Sequence, residues 1–177
     1  MTHAIGLMSA PEFGAAVPGL AEVLADVVAG GDSLGFLSPF GPEEAAAWWR
    51  GLTPAVESGA LLVWAARDGE RVTGTISLAR SWKANARHRA EVVKLMVRRD
   101  ARRRGLARAL LAAAEREAVR SGASLLVLDT ETGSDAERLY LATGWTRYGV
   151  VPGYATDTAG VPRDCSFFYK RVPGPAS

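Results

Sequence analysis

Little in this chain is extreme, and each shortage narrows the field. A single cysteine, Cys165, stands among 177 residues, so no internal disulfide can form, in keeping with a reducing compartment. Net charge is only +2, so the chain is no polycation; a general grip on nucleic acid or on a membrane surface is disfavoured. No apolar stretch approaches the ~20 residues that span a bilayer. The opening, MTHAIGLMSAPEF, lacks the basic segment and long apolar core of a signal peptide. There is no internal repeat. A cytoplasmic protein is expected. What is plentiful is apolar surface: 48% hydrophobic residues can build a sizeable core. The length suits one domain over residues 1–177, with a Pro/Gly/Ser-rich tail from about residue 172 expected to fray.

Hydrophobic spacing divides the chain. A short apolar run near Ile5–Met8 reads as a strand. Val17, Leu20, Val23, Leu24 and Val27 recur with helical spacing and stop at Gly30-Gly31. GPEEAAAWWRGL has proline early and acids in its first turn, as a helix start does. The period then changes. ALLVWAAR and ERVTGTISLAR flank Asp68-Gly69, a hairpin signal. RAEVVKLMV continues as a strand, and a helix spans about Gly105 to Ser121. SLLVLDT is apolar enough for a strand buried on both faces. SDAERLYLATGW reads as a short helix closed by Gly144, before two β-rich segments, WTRYGVVPGY and CSFFYKRV. This order predicts a mixed α/β sheet with a central parallel pair.

The most distinctive stretch is VVKLMVRRDARRRGLARALL. An apolar strand ends near Val97, and a helix begins near Gly105 with arginines at 98, 99, 102, 103, 104 and 108. A helix N-terminus offers unpaired N–H groups and about half a positive charge. Gly105 allows close approach to the backbone, and small Ala107 does not obstruct it. Arg102, Arg103 and Arg104 add charge-assisted donors, and Leu106 lies between glycine and alanine. Such an assembly suits one pyrophosphate better than a duplex. No Gly-Lys-Ser/Thr follows, so it is no P-loop. From charge alone, a solvated basic helix start fits equally well.

The order strand, Arg-x-x-Gly-x-Ala, helix resembles the GNAT acyltransferase superfamily, whose Arg/Gln-x-x-Gly-x-Gly/Ala signature is matched by Arg102, Gly105 and Ala107. The resemblance runs from about Ile5 to Lys170. HRAEVVKLMV, LLVLDTETGS and VVPGYA are similar to one subgroup, the tabtoxin-resistance acetyltransferases, which acetylate a small β-lactam amino acid. The resemblance implies a GNAT-like α/β (α+β) fold: a mixed, mostly antiparallel sheet with a central splayed parallel pair, flanked by helices. It implies acetyl-CoA as cosubstrate and no metal. Backbone amides of Arg102–Ala107 would bind pyrophosphate, and Leu95, Met96 and Val97 would line the pantetheine arm. Many GNATs carry Asn seven residues before the helix tyrosine; here Gly133 stands, which leaves that contact to backbone or to Ser134.

Acetyl transfer needs a deprotonated amine, oxyanion stabilisation and a proton for the leaving thiolate. The matching tyrosine, Tyr140, is implied as general acid. Asp129 closes an apolar strand at the end where α/β folds bind ligands, and reads either as amine-handling carboxylate or as a turn residue. Glu91 corresponds to a base used by several GNATs. Strict alternation puts it on one face with Val93, Leu95 and Val97, unless a bulge intervenes. His88, Trp82, Phe36 and Tyr154 are acceptor-side candidates, in segments where the family forms that pocket. Cys165 reads as core.

Four functions are open to such a sequence. The first is N-acetylation of a small primary amine, with toxin or antibiotic resistance as a possible role. The others are acetylation of a peptide amine, non-catalytic acyl-CoA binding, and nucleic-acid binding. The small net charge and the lack of an aromatic stacking series weigh against the last. Monomer and homodimer are both open.

Overall fold

The structure, a computed structural model, describes residues 3–32 and 34–173. It opens with β1 (Ala4–Leu7) and α1 (Ala10–Ala29), followed by α2 (Pro42–Gly51) and α3 (Thr53–Glu57). The meander β2 (Leu61–Asp68), β3 (Arg71–Arg80) and β4 (Arg89–Val97) leads to α4 (Leu106–Arg120) and β5 (Leu125–Glu131). Then come α5 (Asp135–Ala142), β6 (Thr146–Thr156) and β7 (Pro162–Arg171). The strands form one sheet in the order β1-β2-β3-β4-β5-β7-β6. The β4–β5 pair is parallel and every other neighbouring pair is antiparallel, as expected for the family resemblance.

Two cores cover the two faces. On one, Leu106, Leu110, Leu111, Ala114 and Ala118 of α4 meet Ile76, Leu78, Leu126, Leu128 and Phe168. Alanines at helical spacing let α4 lie close to the sheet. Gly74 of β3 permits the same approach, since a Cβ there would stand 3.2 Å from Leu110 Cδ1 of α4, and 2.9 Å from the Met96 carbonyl oxygen of β4. On the other face, Phe13, Leu20, Leu24 and Val27 of α1 join Trp49 of α2 against Val63, Val72 and Met96.

Several boundaries differ from expectation. α1 starts at Ala10, well before Val17, because Ser9 and Glu12 form a reciprocal capping box; the helix continues through Pro18. The hairpin turn is Gly69-Glu70, one residue beyond the expected Asp68-Gly69, since Asp68 still pairs with Arg71. Gly69, at φ +59°, takes the left-handed position that such a turn requires. Val172, where a frayed tail is expected to begin, is instead buried, and its N–H donates to the Ser124 carbonyl. Residues 174–177 lie outside the described residues.

Candidate active site

The parallel contact between β4 and β5 is short. Arg89, Ala90 and Glu91 pair with Leu125, Leu126 and Val127, and there the ladder stops although both strands continue. β3 keeps β4 aligned to Val97, and β7 keeps β5 aligned to Glu131. The two strands therefore splay, and inward-facing backbone groups beyond Glu91 and Val127 lack a ladder partner. A bulge adds to this opening. Thr75 pairs with Met96 but Ser77 pairs with Val93, so Lys94 and Leu95 together oppose Ile76. Lys94 carries φ +53° to make it.

The bulge breaks the expected alternation. Val93 and Met96 belong to the α1 side, whereas Leu95 and Val97 pack on the α4 side. Glu91 thus shares a face with Val93 and Met96 and not with Leu95 and Val97. The strand-end acid Asp129 lies two residues beyond Val127, the partner of Glu91, and so on the same face as Glu91.

The splay opens toward the start of α4. Gly105 is its N-cap at φ +76°, ψ +3°, with no side-chain cap. A Cβ at Gly105 would meet nothing within 4 Å, so the backbone there faces open space. α1 and α5 are capped by the hydroxyls of Ser9 and Ser134; at α4 the N–H groups of the first turn are left for another acceptor. Arg103, at φ +62°, shapes the turn before it. Leu106 is buried and Ala107 packs at the core edge, so these two face the turn's exterior through backbone alone.

The arginines are less available than their number implied. Arg98 reaches Glu22 at 3.2 Å, Arg99 holds Asp26 at 2.9 Å, and Arg102 holds Asp32 at 2.7 Å. Arg102 also donates to the Val97 carbonyl, and Arg104 to that of Asp100. These bonds pin the strand-to-helix turn to α1 and its following loop. At the facing end of α5, Asp135 is held below the usual carboxylate range, chiefly by Arg138 and more weakly by Arg103 and Arg102. The N-termini of α4 and α5 therefore lie in one electrostatic neighbourhood.

Four titratable groups respond to Asp129. Burial first, and then Asp129, push the Glu91 carboxyl above the ordinary glutamate range. Burial likewise, with Asp129 second, pushes the Tyr140 hydroxyl well above that of a free phenol, so it keeps its proton. Burial lowers the Lys94 ammonium while Asp129 partly opposes the shift. Cys165 donates to Asp129 Oδ2 at 3.3 Å. Tyr140 is buried, with its ring against Trp145 and Phe168 at centroid distances of 5.8 and 5.9 Å.

The segment 132–134, where the family often has asparagine, is fixed from within. Gly133, at φ +82°, donates its N–H to Glu137 at 2.6 Å, and the Ser134 hydroxyl accepts from the Glu137 N–H at 3.1 Å. Buried Glu137 also accepts from Ser166 at 2.6 Å and Arg147 at 3.1 Å. The Ser134 hydroxyl is thus engaged as a cap.

The acceptor-side candidates do not converge. Phe36 packs on Phe40 and Trp48, with centroids 4.5 and 5.2 Å apart, beside the Lys94 ammonium. Tyr154 is exposed on β6 and edges onto Phe167. Trp82 is 87% exposed in the β3–β4 connection, with the Lys83 ammonium 5.9 Å from its ring centre. His88 precedes β4 and gives its carbonyl to the Ser124 and Leu125 N–H groups, at the end of the parallel pair opposite the splay. Trp49, next to Trp48 on α2, is fully buried core. Two residues outside the expected set stand out. One is Lys94, signalled only by its charge within an apolar strand. The other is Glu137, which carried no sequence signal beyond helical polarity.

Among the described residues, no cluster of three or more His, Cys, Asp or Glu side chains is arranged to hold a metal. No helix among them is long and apolar enough to cross a membrane.

Comparison with known proteins agrees with this geometry. The sequence profile of the acetyltransferase (GNAT) family matches residues 33–145. The fold is similar to that of a GNAT phosphinothricin acetyltransferase from Sinorhizobium meliloti, solved with acetyl-CoA. The TM-score is 0.79 at 18% identity, covering 100% of this chain and 92% of that one. An N-acetyltransferase from Staphylococcus aureus matches with TM-score 0.78 at 15% identity, over 97% and 99% of the two chains. A ribosomal-protein-alanine N-acetyltransferase from Brucella melitensis matches with TM-score 0.75 at 22% identity, over 96% and 99%. With its profile match spanning more than half its length and the splayed sheet intact, the chain belongs to the acetyltransferase (GNAT) family.

Proposed function

We propose that this protein is an acetyl-CoA-dependent N-acetyltransferase for a small primary amine, of the kind typified by tabtoxin-resistance enzymes, working in the cytoplasm. One observation carries the reading: the β4–β5 splay, lined by Glu91 and Asp129, opens onto the uncapped, left-handed Gly105 turn. The fit to acetyl-CoA is good at that turn, where free N–H groups and open space suit a pyrophosphate. Arg102–Ala107 would hold it there, with Arg103 adding charge, and Leu95–Val97 would pair with the pantetheine arm. When bound, acetyl-CoA supplies the activated acetyl thioester. Gly133 and Ser134 contribute backbone at the start of α5.

The chain's own groups supply the proton handling. Asp129 is exposed at the splay, where its carboxylate can take a proton from the acceptor ammonium, directly or through water. Glu91 is the alternative, and its raised pKa makes it a better proton acceptor once ionised. Tyr140 Oη holds its proton at neutral pH and can donate it to a departing sulfur. Phe36 and Tyr154 would bound the acceptor; His88, at the end of the parallel pair opposite the splay, and solvent-exposed Trp82 would stand away from it. The ion pairs that tie up Arg98, Arg99 and Arg102 leave less charge for a nucleic-acid backbone, which favours the enzyme reading.

A peptide-amine acceptor is the second reading. The apolar exposed rim of Tyr148, Val150, Val151 and Tyr154 on β6 would suit an extended chain. Release of free thiol from acetyl-CoA across a panel of small amines and peptides distinguishes the readings. Small amines alone should give turnover. Turnover confined to peptides supports the second, and acetyl-CoA binding without any turnover supports a non-catalytic acyl-CoA-binding module.

A further inference from the structure

Lys94 is the odd residue of β4. It sits in the bulge with φ +53°, a region that residues with a Cβ rarely occupy. Its side chain turns toward the α1–α2 loop. There Nζ donates to the Leu34 carbonyl and lies 5.1 Å from the Phe36 ring centre and 5.3 Å from that of Trp48. The loop meets it in an unusual backbone shape: Leu34 has φ +47° and Gly35 has φ +90°.

An ammonium has three N–H donors. Among the described residues, only the Leu34 carbonyl accepts from this one, and no carboxylate lies within ion-pair distance. The two rings offset part of the cost of withdrawing the charge from water, but they accept no conventional hydrogen bond. A half-buried cation with unused donors is poorly satisfied by the protein alone. Asp129 acts on it at longer range, and Asp129 and Glu91 supply the negative side of the same splay. The α1-side face of the splay therefore carries both signs of charge, the carboxyl groups of Glu91 and Asp129 and the ammonium of Lys94.

We propose that Lys94 is a specificity-determining residue: its ammonium, set between Phe36 and Trp48 at the β4 bulge, binds an acidic group carried by the amine acceptor. The acceptor's own ammonium would face Asp129 and Glu91, and its carboxylate would face Lys94. A zwitterionic amino acid has that arrangement of charge; a simple alkylamine or an amino-acid amide does not. The inference deepens the small-amine reading and rests on it for the location of the acceptor.

The test uses matched probes: methionine against methioninamide, and β-alanine against β-alaninamide. Binding to the protein saturated with CoA is measured by calorimetry, which needs no turnover. In the wild type the acid of at least one pair should bind ~10-fold or more tightly than its amide, the size of one charge-assisted hydrogen bond. Lys94→Met, which keeps the stem, should bring that ratio near one, and Lys94→Arg should retain it. A residue that only props the loop would, when changed, weaken acid and amide alike and leave the ratio intact. Equal affinities within both pairs, binding by neither member, or a ratio that survives Lys94→Met overturns the proposal. The wild-type ratio decides even where a variant does not fold. Thiol release on the same pairs is read separately. Acid-selective, Lys94-dependent binding without thiol release would keep the Lys94 assignment and remove the acetyl-transfer reading.

Discussion

Cys165 Sγ lies 3.3 Å from Asp129 Oδ2, so the chain's single thiol donates to a carboxylate at the mouth of the splay. It also reaches the Thr130 carbonyl at 3.2 Å. Burial, with the Asp129 carboxylate beside it, pushes the thiol up to about 12. Such a group stays protonated near neutrality and is a poor nucleophile. Alkylation by iodoacetamide at about pH 8 should be slow in the native protein and rapid after denaturation. Labelling at the rate of a free thiol in the folded state would contradict this environment.

The same carboxylate conditions Glu91. Burial and then the like charge of Asp129 hold Glu91 above its ordinary pKa. Asp129→Asn removes the second cause, so the Glu91 pKa should fall. If Asp129 takes the amine proton, Asp129→Asn should lose ~10²–10⁴ in rate with acetyl-CoA binding intact. If Glu91 takes it instead, Asp129→Asn should remain active, with the acid limb of its kcat/KM profile moved to lower pH, and Glu91→Gln should be inactive. Profiles of both variants decide between them.

Gly105 links conformation to cofactor binding. Its φ of +76° makes any side chain strained, at a cost of about 1–3 kcal/mol, although nothing blocks a Cβ sterically. Gly105→Ala should thus lower the melting temperature modestly and still bind acetyl-CoA. Gly105→Asp adds a negative charge where phosphate is expected. Acetyl-CoA should then no longer raise the melting temperature of the folded variant; an undiminished rise would remove the turn from the cofactor site.

Glu137 makes a prediction about pH. Hydrogen bonds from Ser166, Gly133 and Arg147 hold its carboxyl below the ordinary value despite burial. A depressed folded-state pKa gives stability that is present above the unfolded value, about 4.3, and lost as pH falls through the folded one. Urea unfolding of the wild type should therefore weaken below about pH 4.3 more steeply than that of Glu137→Gln. Near neutrality the variant should be the less stable of the two, since its amide cannot satisfy all three donors. Parallel pH dependences would show that the network contributes nothing through charge.

Local chemistry is what made the centre of this fold legible. The β4–α4–β5 crossover and the Arg-x-x-Gly-x-Ala turn are short-range patterns, and they fall where spacing placed them. The Ser9-x-x-Glu12 cap is equally local, but it precedes the apolar spacing that begins at Val17, so periodicity alone starts the helix too late. Other features depend on distant partners. The bulge at Lys94 arises from pairing with β3, so strict alternation misassigned the face of Leu95 and Val97 relative to Glu91. The arginines looked free because Glu22, Asp26 and Asp32 are some seventy residues away in sequence. The meeting of Glu91, Asp129 and Cys165 comes from three strands, and no spacing in the chain announces it.

Tyr140 supplies the most direct test of the chemistry. It is buried on α5 against Trp145 and Phe168, and burial, aided by Asp129, keeps its hydroxyl protonated across the working range. Tyr140→Phe removes one oxygen and keeps the ring, so packing and acetyl-CoA binding should survive. A thiol is a moderate acid and leaves near neutrality without help, so a proton from Tyr140 would assist departure without being indispensable. Turnover should then fall toward the lower part of the ~10²–10⁴-fold range for a positioned acid. The loss should shrink for acyl donors whose leaving thiol is more acidic, because that thiolate needs the proton less. The ratio of wild-type to Tyr140→Phe rates across such donors, taken where chemistry limits turnover, measures this directly. A ratio that declines with leaving-group acidity assigns proton donation to Tyr140; a constant ratio would mean that its hydroxyl only orients the thioester.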